Sequence, residues 1–335
     1  MITQRRLLVL AISAALLPLL AVAGVLIWRG ATATEEQIIR ERAADARAAA
    51  VVVDLFISDN VSALEVLGMP GRPAVDDVDV ARSAKALADA AALNPNWDQV
   101  GLVDSKGLNV LPGTSATARS VSVADRDYFI EAMRTGRPSV SGAIIGRFSG
   151  KATVVIAIPV VFVSGDRGLL TGIISLDFLE EELHALPGST ETEEIVVDRA
   201  GRAIVHPDPA VVASLSDLSS LPSVEGVLAG ESGVLQRVDA GIELIVAYAP
   251  ARVPHWGVIV REPAGSAFGL IRGEVAEAAA LLACGTVLAL TLAWILGGVL
   301  ERYYDRVVEA ERWLAREKAA LLDTLGHELK TPLAG

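Results

Sequence analysis

The residues best suited to chemistry stand near the carboxyl end of the chain, in residues 325–333 (LGHELKTPL). His327 has a reference pKa of about 6.5, so a neutral ring nitrogen is available as a nucleophile near neutral pH. Glu328 follows directly, and its carboxylate can accept a hydrogen bond from the other ring nitrogen and offset the charge that develops there. Pro332 removes one helical hydrogen bond and favours a bend just past this pair. The segment therefore predicts a nucleophilic histidine on a helix.

Composition excludes several other chemistries. The chain has 335 residues, a formal net charge of −12 and a single cysteine, Cys284, which rules out an internal disulfide and any CxxC site. The four histidines lie far apart in the sequence, so a compact histidine-built zinc motif is absent and we expect no metal site. The acidic balance argues against nucleic acid as a partner.

Two uncharged apolar runs, residues 7–28 and 278–300, stand out in the sequence. As a helix each run reaches about 33 Å, against a hydrocarbon core of about 30 Å, so we predict two transmembrane helices and a lipid bilayer as a partner. The first run also fits a cleaved signal peptide ending near Ala23. Against that alternative, the run continues to Trp28 and Arg29, which make a good interfacial stop.

Basic residues flank the two runs on their outer sides. Arg5 and Arg6 precede the first run, and five more follow the second: Arg302, Arg306, Arg312, Arg316 and Lys318. Because Lys and Arg accumulate on the cytoplasmic side, we expect residues 1–6 and 301–335 in the cytoplasm. Residues 29–277 then form one acidic domain on the other side of the membrane.

The pattern within residues 29–277 predicts a mixed α/β fold. Residues 34–67 favour a long helix ended by the Gly- and Pro-rich residues 68–73, and a shorter helix covers residues 78–93. Asp125 can cap a helix over residues 128–133. We expect a hairpin from residues 151–162 and 169–176, followed by a second strand set at residues 194–197, 203–206, 233–238, 242–249 and 256–261.

This order of elements resembles the double Cache (dCache) sensor domain of bacterial transmembrane receptors. The residues that carry the resemblance are chiefly 125–129 (DRDYF), 139–142 (SVSG), 172–177 (GIISLD) and 197–201 (VDRAG). The resemblance covers most of residues 34–262. It implies two tandem Cache (PAS-like) modules on a long N-terminal helix, flanked by the two transmembrane helices and followed by a dimerisation helix.

The resemblance also implies a ligand site in the membrane-distal module. In relatives that bind amino acids, an arginine and the aromatics after it hold the ligand carboxylate, and acidic residues hold the amine. Arg126, Tyr128 and Phe129 match the first part of that pattern. The amine-binding positions fall on Ile144, Gly146 and Ile173, none of which is acidic.

We therefore expect a small organic anion rather than an amino acid, because a guanidinium grips a carboxylate with two parallel hydrogen bonds. The alternative is that Arg126 is a surface residue paired with its acidic neighbours.

A heptad pattern links the second apolar run to His327. Leu300, Val307, Leu314 and Leu321 are each seven residues apart, with Tyr304 and Leu325 at intervening seam positions and Glu311 and Lys318 at the others. This pattern predicts a marginal parallel coiled coil, and hence a homodimer. The alternative is a single amphipathic helix.

Residues 325–333 closely resemble the H-box of sensor histidine kinases. The resemblance implies that His327 accepts the γ-phosphoryl group of ATP, which enters with Mg²⁺, and passes it to an aspartate of a response regulator. It also implies that Thr331 positions water in the reverse, phosphatase reaction. Nothing earlier in the sequence resembles the ATP-binding boxes of these kinases, so we expect this chain to bind no cofactor and to lack kinase activity alone, as the N-terminal part of a longer kinase.

Taken together, these patterns predict the sensor and membrane portion of a two-component histidine kinase in a bacterial plasma membrane. Three alternatives stay open: a non-catalytic dCache ligand-binding receptor, a receptor-coupled cyclase, and a short regulatory form that dimerises with the full-length kinase.

Overall fold

The computed structural model describes residues 4–72, 75, 79–110, 121–147, 149–186 and 192–330. The chain divides into two units. One is Glu36–Gly269, a mixed α/β unit; the other combines Met1–Glu35 with Leu270–Gly335 and is helical where it is described.

The first helix, α1 (Gln4–Leu67), includes the long helix predicted for residues 34–67 and confirms it. It ends where the backbone N–H of Gly68 donates to the carbonyl of Leu64 at 2.8 Å, just before the Gly- and Pro-rich segment. Ala46, Val53 and Ile57 are fully buried and recur at helical spacing, so one face of α1 packs into the core.

The first sheet follows α1 and is antiparallel. Its elements are α2 (Val80–Leu93), β1 (Trp97–Asp104), α3 (Asp127–Thr135), β2 (Ser139–Val140), β3 (Ile144–Ile145), β4 (Ala152–Val161), β5 (Arg167–Ile174) and α4 (Leu176–His184). The strand order is β1-β5-β4-β2, with β3 also on β4. Strands β4 and β5 pair through Val161 and Arg167, which confirms the predicted hairpin.

The second sheet has five strands and carries the last helix. Its elements are β6 (Glu193–Val197), β7 (Ala203–Val205), α5 (Pro209–Ala213), α6 (Pro222–Leu228), β8 (Gly233–Asp239), β9 (Ile242–Pro250), β10 (Gly257–Pro263) and α7 (Ala264–Lys330). The order is β7-β6-β10-β9-β8. All five predicted strands of this set are present, with ends shifted by one or two residues.

Both sheets are covered on two faces. One continuous core joins α1 to both sheets and includes Ile57, Ile156 and Val258. On the opposite faces lie two smaller clusters, one under α3 around Phe129 and one beside α6 around Val224. Each of the two cavities described below lies beside one of these smaller clusters.

Helices α1 and α7 are each long and apolar enough to cross a membrane, by length and composition, over Ala11–Leu67 and Ala264–Ala319. The predicted spans at residues 7–28 and 278–300 fall within them. Their apolar side chains, such as Leu26 and Leu288, are largely exposed, as lipid-facing residues would be. Both helices run on well past the apolar segments, so each predicted span is one part of a longer helix.

Candidate functional site

A cavity opens on the face of the first sheet that carries α3. The space that it encloses, including its open mouth, is about 660 Å³. Much of its wall consists of valine and isoleucine side chains. Its polar and basic lining comprises Gln99, Asn109, Arg126, Tyr128, Arg147, Ser149, Thr153 and Thr171.

Two glycines keep this cavity in shape. Gly107 has a φ of 78°, in the left-handed region, and its carbonyl accepts a hydrogen bond from the N–H of Val123 at 2.8 Å. Gly146 lies on the wall, where a β-carbon would come within 2.5 Å of Ser149 Oγ. A side chain at Gly146 would therefore clash with Ser149 and distort the cavity wall.

Arg126 stands at the N-terminal end of α3 and is half-buried on the cavity wall. Its Nη2 donates to the carbonyl of Ile145 at 2.8 Å, which ties it to β3. It forms no ion pair with any residue that the structure describes, Asp125 and Asp127 included. The predicted alternative, in which its acidic neighbours neutralise Arg126, is therefore not what the geometry shows.

Asp125 has a different partner from the one that the sequence suggested. Its carboxylate accepts two hydrogen bonds from the Arg147 guanidinium, from Nη1 to Oδ1 at 2.7 Å and from Nη2 to Oδ2 at 2.5 Å. These hydrogen bonds hold the pKa of Asp125 below its ordinary value and raise the pKa of Arg147. Arg147 also donates to the carbonyl of Ser122. The prediction that Asp125 caps α3 is wrong: the N-cap residue is Arg126, and it makes no side-chain cap.

The two predicted aromatic contacts go to different places. Tyr128 is buried and lines the cavity, and burial raises the pKa of its phenol, so it stays neutral. Phe129 lies about 100° further round the helix and packs with Ala132 and Val155 in the cluster under α3. It is not among the residues that line the cavity, because its side of the helix faces the core.

The charge of the cavity is positive. Arg126 and Arg147 line it, and no carboxylate does so among the residues that the structure describes. Ile144, Gly146 and Ile173, at which relatives were expected to hold an amine, do line it. Among its described lining residues the site therefore offers hydrogen-bond donors and a cation but no carboxylate to pair with an ammonium.

The segment with the predicted nucleophile lies on α7. His327 and Glu328 are within this helix, as the sequence predicted, whereas Thr331 lies outside the described residues. Among the described residues there is no group of His, Cys, Asp or Glu side chains that could hold a metal ion. The sequence analysis did not identify Arg147 as a cavity residue. Its signal in the sequence was its place directly after Gly146, one of the expected amine-binding positions.

Solved structures show the same fold. The ligand-binding domain of the Pseudomonas aeruginosa PAO1 amino acid chemoreceptor PctB, in complex with L-Arg, matches with a TM-score of 0.53 at 16% identity, covering 70% of this chain and 98% of that one. The ligand-binding domain of the Campylobacter jejuni chemoreceptor Tlp3, with 4-methylisoleucine, gives 0.55 at 14%, covering 70% and 94%. The extracellular domain of a candidate histidine kinase, rpHK1S-Z16, gives 0.53 at 18%, covering 70% and 97%. At these identities the likeness establishes the fold alone.

None of the curated proteins compared with the chain matches it. The family model for the Cache domain matches residues 30–271, which is most of the chain and includes both sheets and the cavity. The chain therefore belongs to the Cache domain family.

Proposed function

We propose that the chain is the sensor and membrane portion of a two-component histidine kinase, in which a small organic anion in the first cavity controls phosphorylation of His327. The observation that carries the proposal is α7 itself. This single uninterrupted helix begins where the second sheet ends at Pro263, contains the apolar run, and includes His327. A rotation or shift of the second sheet would thus be delivered to the histidine through one rigid element.

The ligand class follows from the charges of the cavity. PctB and Tlp3 have domains of this fold that hold amino acids or close analogues, which supports a small-molecule ligand here. The ammonium of an amino acid would find no carboxylate among the described lining residues, whereas a ligand carboxylate would meet the unpaired guanidinium of Arg126. A carboxylate without an ammonium is the better fit.

A thermal-shift screen of the full chain in nanodiscs tests this ligand class. The probes are small dicarboxylates, each beside its neutral amide and its α-amino acid. Bound ligand raises the melting temperature, so we expect a shift with a carboxylate and none with its amide. Arg126→Gln should abolish the shift, and Arg134→Gln, on the exposed side of the same helix, should leave it unchanged. Equal shifts with acid and amide would contradict the proposal.

Transmission from the cavity to α7 has a physical route through Asp198. In this proposal each sheet with its helices is one Cache module. Asp198, in the turn between β6 and β7, is fully buried, and its Oδ2 accepts the backbone N–H of Ala143 at 2.9 Å. Ala143 directly precedes β3, whose Ile144 lines the cavity. A ligand that biases β3 between two positions would therefore act on the second sheet through this bond.

The proposed topology places both termini in the cytoplasm and both sheets outside the plasma membrane, with two transmembrane spans. The apolar runs in α1 and α7 and the basic residues outside them support it. Reporter fusions at residues 230 and 335 test it. An external reporter should be active only at residue 230, and activity at residue 335 would put the histidine on the side away from ATP.

Dimerisation would bring two copies of α7 together. Val307 and Leu314, on the predicted heptad seam, are 38% and 52% exposed in the single chain, which leaves them available to a partner helix. A parallel pair of α7 helices would present the two copies of His327 at the same level.

The chemistry at His327 needs little from this chain beyond a neutral imidazole. A ring nitrogen forms a bond to the γ-phosphorus of ATP, and the bridging oxygen leaves with its bonding electrons as ADP. Glu328 would accept a hydrogen bond from the other ring N–H and stabilise the positive charge. The phosphoryl group would then pass to an aspartate of the response regulator, and Thr331 would position water for its hydrolysis. The ATP-binding domain, with Mg²⁺, would be supplied by a segment beyond residue 335.

Radiolabel transfer from ATP to the complete protein tests this role. His327→Gln should abolish acid-labile labelling. His184→Gln removes an exposed histidine on α4 and should leave labelling intact. Labelling that persists in the His327 variant would remove this residue from its role.

A non-catalytic receptor is the second candidate function, favoured by the fold that the chain shares with chemoreceptor domains. It predicts ligand-dependent thermal shifts together with no labelling of the wild-type complete protein. A short regulatory form predicts instead that the chain, added to the full-length kinase, lowers its labelling by forming mixed dimers.

A further inference from the structure

The second sheet has a cavity of its own. It lies between α6 and the face of the sheet formed by β6, β8, β9 and β10, and encloses about 450 Å³ including its mouth. Its floor is aliphatic: Ile195, Val246 and Ile259 are buried, and Leu244 packs beside them. An aliphatic lining of this kind suits a small molecule with an apolar body.

Two polar groups in this cavity make no hydrogen bond or ion pair with the residues that the structure describes. Ser223 on α6 is only 6% exposed, yet its hydroxyl makes no hydrogen bond with any residue that the structure describes. Arg237 on β8 is half-buried and forms neither an ion pair nor a hydrogen bond within the described part of the chain. Both groups line the cavity, so the hydroxyl and the guanidinium are placed to bind a ligand that enters it.

The neighbouring charges define which kind of ligand fits. Arg261 also lines the cavity, but its Nε is 2.5 Å from Glu193 Oε2, so that cation is already neutralised. Asp239, two residues beyond Arg237 at the end of β8, is exposed, and solvent screens its charge. Arg237, at the edge of the aliphatic floor, is thus the cavity cation that pairs with no acidic residue in the described part of the chain.

We propose that this cavity is a second ligand site, which binds a small aliphatic monocarboxylate. The ligand carboxylate pairs with Arg237 and accepts a hydrogen bond from Ser223, and its hydrocarbon chain covers Ile195, Leu244 and Ile259. The site does not depend on the role proposed for the first cavity, and it lies in the sheet from which α7 leaves. A ligand here acts on α7 without passing through Asp198.

Binding of hexanoate to the full chain in nanodiscs tests the proposal. Isothermal titration compares hexanoate with hexanol, which keeps the chain and loses the charge, and with hexylamine, which reverses it. We expect binding of hexanoate alone. Arg237→Gln should weaken hexanoate at least about tenfold, and Ser223→Ala should weaken it less, because a neutral hydrogen bond is worth less than a charge-assisted one.

A variant of the other cavity separates the two sites. Arg126→Gln should leave hexanoate binding unchanged, whereas loss of binding in that variant, with retention in Arg237→Gln, would assign hexanoate to the first cavity and overturn the proposal. Preferred binding of hexylamine would assign the charge recognition to Asp239 and would also overturn it, as would no heat of binding with hexanoate. Arg237→Lys serves as the variant that keeps the positive charge. Circular dichroism of each variant shows whether the second sheet is folded.

Discussion

The α-carbon of Gly142 lies directly against the carboxylate of Asp198, with no room for a side chain between them. A β-carbon at Gly142 would overlap Asp198 Oδ2 and come within 2.8 Å of Arg202 Nη2. Asp198 is fully buried and is held by Arg202 through Nε at 2.8 Å and Nη2 at 2.7 Å. A segment of the first sheet is thus fixed to a charged pair of the second.

Asp198→Asn should destabilise the chain. The carboxylate accepts from the N–H groups of Ala143 and Ala200 and pairs with Arg202, and an amide can satisfy only part of this set. Removing one partner of a buried pair costs about 3–5 kcal/mol, and we expect about 3 kcal/mol because the Arg202 side chain is 37% exposed. Urea unfolding of the full chain in detergent, followed by tryptophan fluorescence, measures the loss.

The control for Asp198 is Asp89→Asn on α2. Asp89 is exposed and pairs with Lys85 at 2.9 Å, so its loss should change the free energy of unfolding by less than about 0.5 kcal/mol. Comparable losses for the two variants would mean that the buried link between the sheets contributes nothing special to stability.

Gly142→Ala should act on the same link. The methyl group must displace Asp198, so this variant should lose a comparable free energy of unfolding, and the double variant with Asp198→Asn should lose much less than the sum. Gly265→Ala, at a position with nothing within 4 Å, should be neutral. Additive losses for Gly142→Ala and Asp198→Asn would show that the two residues act independently.

Asp125→Asn should separate binding from stability in the first cavity. Asp125 is 66% exposed on its side chain, so loss of its pair with Arg147 should change the stability little. The released guanidinium of Arg147 should tighten binding of any carboxylate found in the screen by a few-fold, whereas Arg147→Gln should weaken it. Titration calorimetry measures both, and weaker binding in Asp125→Asn would show that Asp125 instead positions Arg147 for the ligand.

Glu194 on β6 should give the stability a pH dependence. Burial raises the pKa of Glu194 above its ordinary value, although His184, 3.6 Å away, opposes the shift. The folded state therefore binds more protons than the unfolded chain, so stability falls as the pH rises from about 4.3 through the folded pKa.

Glu194→Gln should remove this decline in the free energy of unfolding as the pH rises above about 4.3. Glu182→Gln, an exposed position on α4, should leave the slope as in the wild type. Urea midpoints across this range are the measurement, and an unchanged slope in Glu194→Gln would assign the pH dependence to another group.

Much of the fold could be predicted because its signals are local. The apolar runs are as long as a bilayer is thick, and the strands of both sheets alternate or run apolar between turn residues. The helix that ends at Leu67 and the hairpin of β4 and β5 followed from the same periodicity. These features depend on which face of a helix or strand is buried. The order of apolar and polar residues in the sequence encodes that face directly.

The contacts that make the sites depended on which distant segments became neighbours. Asp125 could be seen as a helix cap from its own surroundings, but the arrival of Arg147 beside it made it an ion-pair partner instead. Phe129 carried the same local pattern as Tyr128, and both rings pack in the cluster under α3, but the lining of the cavity includes Tyr128 and not Phe129.

The sequence by itself determined the α/β composition, the two apolar helices and the placement of His327 on a helix, because each follows from short-range periodicity. Only the tertiary structure decided that Arg126 is hydrogen-bonded to the carbonyl of Ile145, that Asp198 joins the two sheets, and that Ser223 and Arg237 share a second cavity. The physical reason is that a charge or hydroxyl interacts mainly with the groups within a few ångströms of it, and those groups come from remote parts of the chain.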